Sequence, residues 1–142
     1  MWYVSGFKWD ATADGMHSYY HVKYAESADG IEWRRDGVVA IDLVPPERNI
    51  ARPCVVRDRD LYRMWYSYDA GRGYHIGYAE SDDARRWTRL DDLAGIAPAD
   101  AGWDADAQAY AWVFSHDGTR YMLYNGNGFG RTGFGLAAAG AS

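Results

Sequence analysis

The sequence predicts an all-β domain, and three observations support this fold class. Aromatic residues make up 16% of the 142 residues, with seven Trp and twelve Tyr, and such side chains favour strands. Sixteen Gly provide for tight turns between many short strands. The same landmarks also recur along the chain at nearly constant spacing, which is typical of folds that repeat one supersecondary unit.

The repeat is visible as short segments that return after 54 or 58 residues. The matching pairs are Tyr24-Ala25-Glu26-Ser27 with Tyr78-Ala79-Glu80-Ser81, Trp33 with Trp87, His21 with His75, and Met64-Trp65-Tyr66-Ser67 with Met122-Leu123-Tyr124-Asn125. Several landmarks at a constant offset rarely arise by chance. The pattern indicates about three copies of one unit within a single domain, 1–142, with approximate limits 1–44, 45–93 and 94–142.

The middle copy predicts four antiparallel strands. They are residues 51–57, 61–66, 74–79 and 87–90, and turn-forming residues separate them. Four antiparallel strands at a period of roughly 50 residues are the signature of one blade of a β-propeller. The predicted architecture is therefore a β-propeller of four-stranded blades.

The outer copies predict only three strands each. The first copy starts on the equivalent of the second strand, and its loop 5–18 is nine residues longer than the loop of the middle copy. The last copy predicts strands at 110–115, 121–125 and 133–138. Ten strands cannot close a ring, because a propeller needs at least four blades. Two alternatives follow: the chain is a portion of a larger propeller, or it forms a homo-oligomer, with a dimer favoured, that completes one.

Composition and charge exclude several classes of function. The net charge of −5 is mixed along the chain without a basic stripe, so we expect no nucleic-acid partner. No apolar run approaches roughly 18 residues, so we expect no membrane span. The start, Met1-Trp2-Tyr3-Val4, lacks the pattern of a signal peptide, which favours a cytoplasmic location. If Met1 is not the natural start of the domain, the localisation stays open. Cys54 is the only Cys, so an intrachain disulfide and a Cys-based zinc site are excluded, and we predict no metal or cofactor.

Three segments of the middle copy carry a family resemblance. Residues 51–56, 62–67 and 76–81, followed by Trp87, resemble the blades of five-bladed glycoside hydrolases, the arabinanase, β-xylosidase and invertase-like propellers of families 43 and 32. Residues 121–133 are similar to bacterial members of the same superfamily. The resemblance implies hydrolysis by carboxylates at the starts of innermost strands, with two carboxyls roughly 5 to 10 Å apart around the glycosidic bond.

Three carboxylates precede the two innermost strands of the chain. Asp104 and Asp106 alternate with Ala residues, so in an extended segment they share a face, and Glu47 follows Pro45-Pro46 in a similar inter-blade loop. These are the candidate catalytic residues. The alternative is that both segments are solvated loops between blades.

Seven further residues are candidates for binding a carbohydrate. They are Arg52, Asn125, Asn127, Arg131, Trp103, Tyr68 and His75. Arg52 offers a rigid fork of donors to sugar hydroxyls, or alternatively forms a structural ion pair between blades. The aromatic side chains at loop edges, Trp9 and Tyr20 among them, are suited to stacking on sugar rings. His75 has a repeat equivalent in His21, which favours a packing role instead.

Residues 27–33 approximate the Ser-x-Asp-x-Gly-x-x-Trp turn of sialidase propellers, one residue short. This resemblance implies a structural turn capped by Asp, with Trp33 and Trp87 in the core. The sequence therefore leaves three hypotheses for function. The first is a glycoside-hydrolase-like propeller that acts on a carbohydrate, the second a non-catalytic carbohydrate-binding module, and the third a structural fragment that assembles with a partner.

Overall fold

The computed structural model describes residues 1–13, 15–69, 71 and 73–139, and these residues are almost entirely β. The strands are β1 Trp2–Thr12, β2 Gly15–Tyr24, β3 Val39–Ile41, β4 Asn49–Asp58, β5 Leu61–Asp69, β6 Tyr74–Ser81, β7 Thr88–Arg89, β8 Ala109–His116, β9 Thr119–Asn125 and β10 Phe134–Ala138. A 3₁₀ turn covers Asp91–Leu93, and a short helical turn, α1, covers Asn127–Gly130. No helix in this part of the chain is long and apolar enough to cross a membrane.

The ten described strands fall into three groups of three, four and three, as the sequence predicts. Strands β4, β5, β6 and β7 form an antiparallel meander, which we call the middle blade. Strands β1–β3 form the first blade, and β8–β10 form the last. A parallel pairing of Tyr20 with Asn49 joins the first blade to the middle blade. The approximate boundaries at 44 and 93 remain a prediction.

The predicted loop 5–18 is wrong, because most of this segment is strand. Strands β1 and β2 pair continuously from Trp2 with Tyr24 to Thr12 with Gly15, with one irregularity between Gly6 and Lys8. The extra residues therefore lengthen a hairpin. An extended hairpin pairs backbone N–H and C=O groups that a long loop would leave to water.

The hydrophobic core consists of two clusters, each between neighbouring blades. The cluster between the first and middle blades includes Val22, Ile41, Ile50, Met64 and Tyr66. The cluster between the middle and last blades includes Cys54, Trp65, Tyr78, Val113 and Met122. Side chains that alternate along the inner strands thus bury one face of each blade against the next.

Cys54 is buried between the middle and last blades, as predicted. Its Sγ accepts a hydrogen bond from the backbone N–H of Val113 at 3.2 Å, and the thiol faces the carbonyl of the same residue. Burial raises the pKa of the Cys54 thiol. The residue therefore acts as a small apolar side chain that joins two inner strands.

The turn at residues 27–33 is capped by an Asp side chain, as predicted, and an equivalent Asp-capped turn follows β6. In the first, Asp29 Oδ1 accepts hydrogen bonds from the N–H groups of Ile31 and Glu32, and Gly30 has a φ of 76°. In the second, Asp83 accepts from the N–H groups of Arg85 and Arg86, and Ala84 occupies the left-handed position with a φ of 64°.

The two Trp residues of these turns differ in burial. Each donates its indole N–H to the left-handed residue's carbonyl, Trp33 to Gly30 and Trp87 to Ala84, both at 3.1 Å. Trp87 packs against the core between the first and middle blades, as predicted, and the edge of Trp2 covers it at 5.8 Å. Trp33 is 38% exposed, so its assignment to the core is wrong.

Candidate functional site

The inner strands β4 and β8 lie side by side and begin at the same end of the blades, which we call the mouth. Their contacts run in the same order, since Arg52 meets Tyr110 and Cys54 meets Val113. The last residues of β1, β5 and β9 also lie at this end, because these strands run antiparallel to β2, β4 and β8. The Gln108 N–H donates to the Tyr74 carbonyl at 2.8 Å, which links the middle and last blades there.

Both inner strands are interrupted near the mouth by a β-bulge. The register shifts between Ala51 and Cys54 in β4 and between Ala109 and Trp112 in β8. At these bulges Arg52 has a φ of 53° and Tyr110 a φ of 61°. A non-glycine residue held in this region costs on the order of 1 to 3 kcal/mol, and such residues cluster at functional sites. Bulges re-aim side chains, and here both are re-aimed to the same place.

The two bulge residues belong to a group of stacked side chains at the mouth. The Arg52 guanidinium lies over the Tyr110 ring, 5.1 Å from its centroid. The Phe129 ring stacks on the Tyr110 ring, with centroids 5.9 Å apart and an interplanar angle of 21°. Tyr74 completes the group, 6.3 Å from Tyr110 and 5.5 Å from Phe129. We call these four residues the mouth cluster.

The mouth cluster is partly open to water. Arg52 is exposed and Phe129 is 59% exposed, whereas Tyr74 and Tyr110 are half-buried. Burial, with the nearby Tyr110 phenol adding to it, raises the pKa of Tyr74 to about 12. The Tyr74 hydroxyl is therefore a neutral donor at physiological pH. No carboxylate of the described residues forms an ion pair with Arg52, so the structural ion pair considered for it is absent there.

The two aspartates before β8 do not share a face, contrary to expectation. Residues 101–106 form turns rather than an extended segment. Asp104 is 7% exposed, and its Oδ2 accepts hydrogen bonds from Gln108 Nε2 and the Tyr124 hydroxyl, each at 3.0 Å. Burial and this hydrogen bond raise the pKa of Tyr124 to about 12. Asp106 is exposed instead, and its backbone packs against Gly73, beside Tyr74.

Asn127 joins the two loops of the last blade. Its Oδ1 accepts hydrogen bonds from the N–H groups of Asp106 and Ala107, at 2.8 and 2.9 Å, and its Nδ2 donates to the Gly102 carbonyl. Asn125 donates to the Phe129 carbonyl at 3.3 Å. The amides thus fix Asp106 and Phe129 in place, and a direct ligand contact by either amide remains a prediction. Arg131, at the end of α1, is exposed.

Trp103 is held flat against the last blade. Its ring stacks on Tyr124 at 5.4 Å and 28°, and it is 36% exposed. A Cβ at Gly126 or Gly135 would overlap the ring, so both positions require glycine. The exposed edge of Trp103 is available to a ligand, but most of its surface serves packing.

The third predicted carboxylate, Glu47, forms an ion pair. Both of its oxygens accept hydrogen bonds from Arg89, at 2.7 and 2.9 Å, and its side chain is only 7% exposed. Arg89 also binds Asp91 Oδ2 at 2.7 Å, and Asp91 Oδ1 accepts from the Tyr66 hydroxyl at 2.5 Å. We call Glu47, Arg89, Asp91 and Tyr66 the arginine clasp.

Two further candidate binding residues, Tyr68 and His75, lie beside the clasp. The Arg89 guanidinium lies 5.6 Å from the centroid of Tyr68, and Tyr68 pairs across the strands with His75, ring to ring at 5.7 Å. Both aromatic residues are half-buried. Arg89 and Asp91 were not predicted from the sequence. Their alternation around Leu90, at the end of the outermost strand, is the signal for two charges on one face.

The chain resembles two curated proteins along nearly its whole length. The uncharacterized protein MT1551 of Mycobacterium tuberculosis (strain CDC 1551 / Oshkosh) is 44% identical over 138 residues, which cover 96% of this chain and 45% of that protein. The uncharacterized protein Rv1502 of strain ATCC 25618 / H37Rv is 43% identical over the same shares. The chain thus spans less than half the length of these relatives. No family model matches it.

Solved structures decide the fold. A glycoside hydrolase superposes with a TM-score of 0.71 at 21% identity, covering 99% of this chain and 41% of that one. The family 117 glycoside hydrolase Zg3597 of the marine bacterium Zobellia galactanivorans gives 0.66 at 24%, covering 89% and 39%. The Bombyx mori GH32 β-fructofuranosidase BmSUC1 gives 0.63 at 18%, covering 96% and 30%. The chain has part of the β-propeller fold of the glycoside hydrolases.

Within this glycoside-hydrolase-like fold, the ten predicted site residues form separate groups. The loops of the last blade bring together Trp103, Asp104, Asp106, Asn125, Asn127 and Arg131. Glu47 belongs to the arginine clasp, with Tyr68 and His75 beside it. Arg52 lies over the ring of Tyr110. Sequence reasoning missed Tyr110 and Phe129 as site residues. Their aromatic character was visible, but the left-handed bulge that turns Tyr110 to the mouth has no signal in a single sequence.

Proposed function

We propose that the chain binds a carbohydrate at the mouth of its glycoside-hydrolase-like propeller, on the surface formed by the mouth cluster. The observation that carries this proposal is the pair of left-handed bulges, which set Arg52 upon Tyr110 from two different inner strands. Packing alone does not require such a strained pair. The two strained residues come from different strands and converge on one partly exposed surface, which favours a role in binding.

The chemistry of the mouth cluster fits a sugar ring. An exposed aromatic face such as that of Phe129 stacks on the apolar face of a pyranose or furanose ring. The Arg52 guanidinium presents several fixed donors to neighbouring hydroxyl oxygens. The neutral Tyr74 phenol both donates and accepts. Apolar side chains combined with a small number of fixed polar groups are typical of the lining of a ligand site.

Asp106 is the carboxylate that we assign to the ligand. It is the exposed member of the three candidates, whereas Asp104 accepts hydrogen bonds inside the last blade and Glu47 is paired with Arg89. Its backbone lies against Gly73, beside Tyr74, and an exposed carboxylate can accept hydrogen bonds from sugar hydroxyls.

Hydrolysis is the second candidate function, favoured by the fold shared with glycoside hydrolases and by Asp106 at the mouth. Glycosidic cleavage needs a second carboxyl across the bond. To act as this second carboxyl, Asp104 would have to leave Gln108 and Tyr124, or Glu47 would have to leave Arg89. Binding without cleavage is therefore the function that the geometry of this chain supports better.

The experiment that tests binding is isothermal titration calorimetry of the chain with arabino-, xylo- and fructo-oligosaccharides, alongside a reducing-sugar assay for cleavage. We expect at least one series to bind, and Asp106→Asn to weaken that binding. Asp82→Asn, an exposed aspartate in the β6–β7 turn at the opposite end of the middle blade, is the matched control and leaves affinity unchanged. If the unmodified chain binds no member of the three series, the proposal is wrong.

We also propose that a second copy of the chain packs against the last blade. The outward face of β8–β10 exposes three large apolar side chains, Trp112 at 64%, Phe134 at 74% and Leu136 at 60%. Leu123 lies between Trp112 and Leu136 in the register, so the patch is continuous. The opposite face of the same blade already packs against the middle blade, which makes a blade of the same kind the fitting partner. Light scattering tests this: Trp112→Glu should reduce a dimer to a monomer.

A further inference from the structure

The long hairpin of the first blade projects past the mouth. Strand β2 runs parallel to β4, and their pairing joins Tyr20 to Asn49, the first residue of β4. Residues 15–19 of β2 and their β1 partners therefore extend beyond the point where the inner strand begins. Five residues of strand span roughly 16 Å. We call this projecting part, residues 8–12 with 15–19, the arm.

One face of the arm continues the surface of the mouth. Val22 packs into the core between the first and middle blades, so the face that it shares with Tyr20 is turned toward the middle blade. In the register Tyr20 pairs with Asn49, Asn49 with Asp69, and Asp69 with Tyr74, so Tyr20 lies level with Tyr74 at the mouth. Further out on this face lie Ser18 and, paired across from it, Trp9.

Trp9 is the most exposed aromatic side chain that this face offers. It is 63% exposed, and Met16 beyond it is 64% exposed. Trp9 and Met16 thus form an exposed apolar patch, and such patches are typical of interaction sites. On the opposite face, the aromatic side chains have partners within the hairpin. There Phe7 stacks on His21 at 4.4 Å, and Lys8 lies over the Tyr19 ring at 4.8 Å.

The arm is held in position by contacts on its other side. The His17 ring contacts the Arg48 guanidinium at 3.2 Å, in the segment that leads into β4. The Tyr20 N–H also donates to the Arg48 carbonyl. The indole of Trp9 is thus presented from a paired, anchored hairpin, which lowers the conformational entropy that binding would cost.

We propose that Trp9 forms a second ring-stacking subsite, which binds a sugar residue further along the same oligosaccharide that occupies the mouth cluster. This inference rests on the proposed function, because it extends the same binding surface. Trp9 pairs with Ser18, two residues outward from Tyr20, or roughly 7 Å along the strand. The ligand class follows: an oligosaccharide, not a monosaccharide, since only a chain of rings meets both surfaces.

The test is the dependence of affinity on oligosaccharide length, measured by calorimetry with arabino-, xylo- and fructo-oligosaccharides from the disaccharide to the hexasaccharide. For the series that binds, we expect affinity to rise with length in the unmodified chain, and Trp9→Ala to remove about three- to tenfold of the gain. The disaccharide should bind Trp9→Ala and the unmodified chain equally. Trp9→Phe should keep most of the gain.

Phe7→Ala is the matched control, because it removes an exposed aromatic side chain from the opposite face of the same hairpin. It should leave the length dependence unchanged, with its melting temperature recorded beside that of Trp9→Ala. If Trp9→Ala binds long oligosaccharides as tightly as the unmodified chain does, or lowers the molar mass in solution instead, the subsite is refuted while mouth binding stands. If no oligosaccharide binds the unmodified chain, the proposed function fails and the subsite with it.

Discussion

The guanidinium of Arg52 lies 5.1 Å from the ring centroid of Tyr110, and the two residues occupy the same position in successive repeats, 58 residues apart. Each sits in a β-bulge with a left-handed backbone. The two repeats therefore share the left-handed bulge, whereas the side chains at the bulge differ. One copy supplies a charge and the other a ring, and together they form the centre of the mouth cluster.

The strain at this position predicts that Arg52→Gly is more stable than Arg52→Ala. Both variants lose the cation–π contact, but only Gly adopts a φ of 53° without steric cost. We expect a difference of about 1 kcal/mol in the free energy of unfolding, measured by urea denaturation. Equal stability of the two variants would show that the bulge carries no strain.

The two Asp-capped turns predict opposite changes in stability for the substitutions Ala84→Gly and Gly30→Ala. Gly30 and Ala84 occupy equivalent left-handed positions, with φ of 76° and 64°. Ala84→Gly should raise the melting temperature, because it relieves the backbone, and Gly30→Ala should lower it, each by an amount that corresponds to about 1 kcal/mol. Thermal unfolding followed by circular dichroism measures both. A decrease for both variants would contradict this account of the turns.

The arginine clasp predicts a large cost for removing its centre. Arg89→Met leaves Glu47, 7% exposed, without a partner for its charge, and we expect a loss of roughly 3 kcal/mol in the free energy of unfolding. The double variant Arg89→Met, Glu47→Gln should recover part of that loss. Arg86→Met is the control, because its pair with Asp83 is at the surface and contributes under about 1 kcal/mol. Similar losses in both single variants would argue against a buried clasp.

Acid should weaken the link between the middle and last blades at Asp58. Hydrogen bonds from Arg120, at 2.7 and 2.9 Å, lower the pKa of Asp58. A carboxyl with a lowered folded-state pKa stabilises the fold above its ordinary value near 3.9, and this stability is lost as the pH falls through and below that value. Denaturation midpoints of the unmodified chain should therefore fall more steeply between pH 5 and pH 2 than those of Asp58→Asn. Parallel curves would contradict the assignment.

The sequence predicted the blades well because blade strands have local signals. The alternation and turn residues of the middle copy placed its four strands within a few residues of their bounds. Segment 5–18 was misread because it aligns with the loop of the middle copy, whereas most of it pairs within β1 and β2. An alignment of repeats does not show where one copy extends its hairpin.

The site was less predictable because its residues are brought together by contacts between blades. Arg89 meets Glu47 across 42 residues, and the stack of Tyr110 on Phe129 depends on the left-handed backbone of both residues. Neither relationship has a period or a motif. The burial of Asp104 could not be predicted for the same reason, because its hydrogen-bond partner Tyr124 lies 20 residues away, in β9.

The most direct test of the central claim, a carbohydrate site at the mouth, compares two arginines of strand β4. Arg52 lies over Tyr110 at the mouth, and Arg57 lies over Tyr62 at the opposite end of the same strand, at 5.1 and 5.2 Å. Both are exposed, so both alanine variants should fold. By calorimetry with the oligosaccharide that binds the unmodified chain, Arg52→Ala should weaken affinity about tenfold and Arg57→Ala should leave it unchanged. Equal affinities in the two variants would contradict the account.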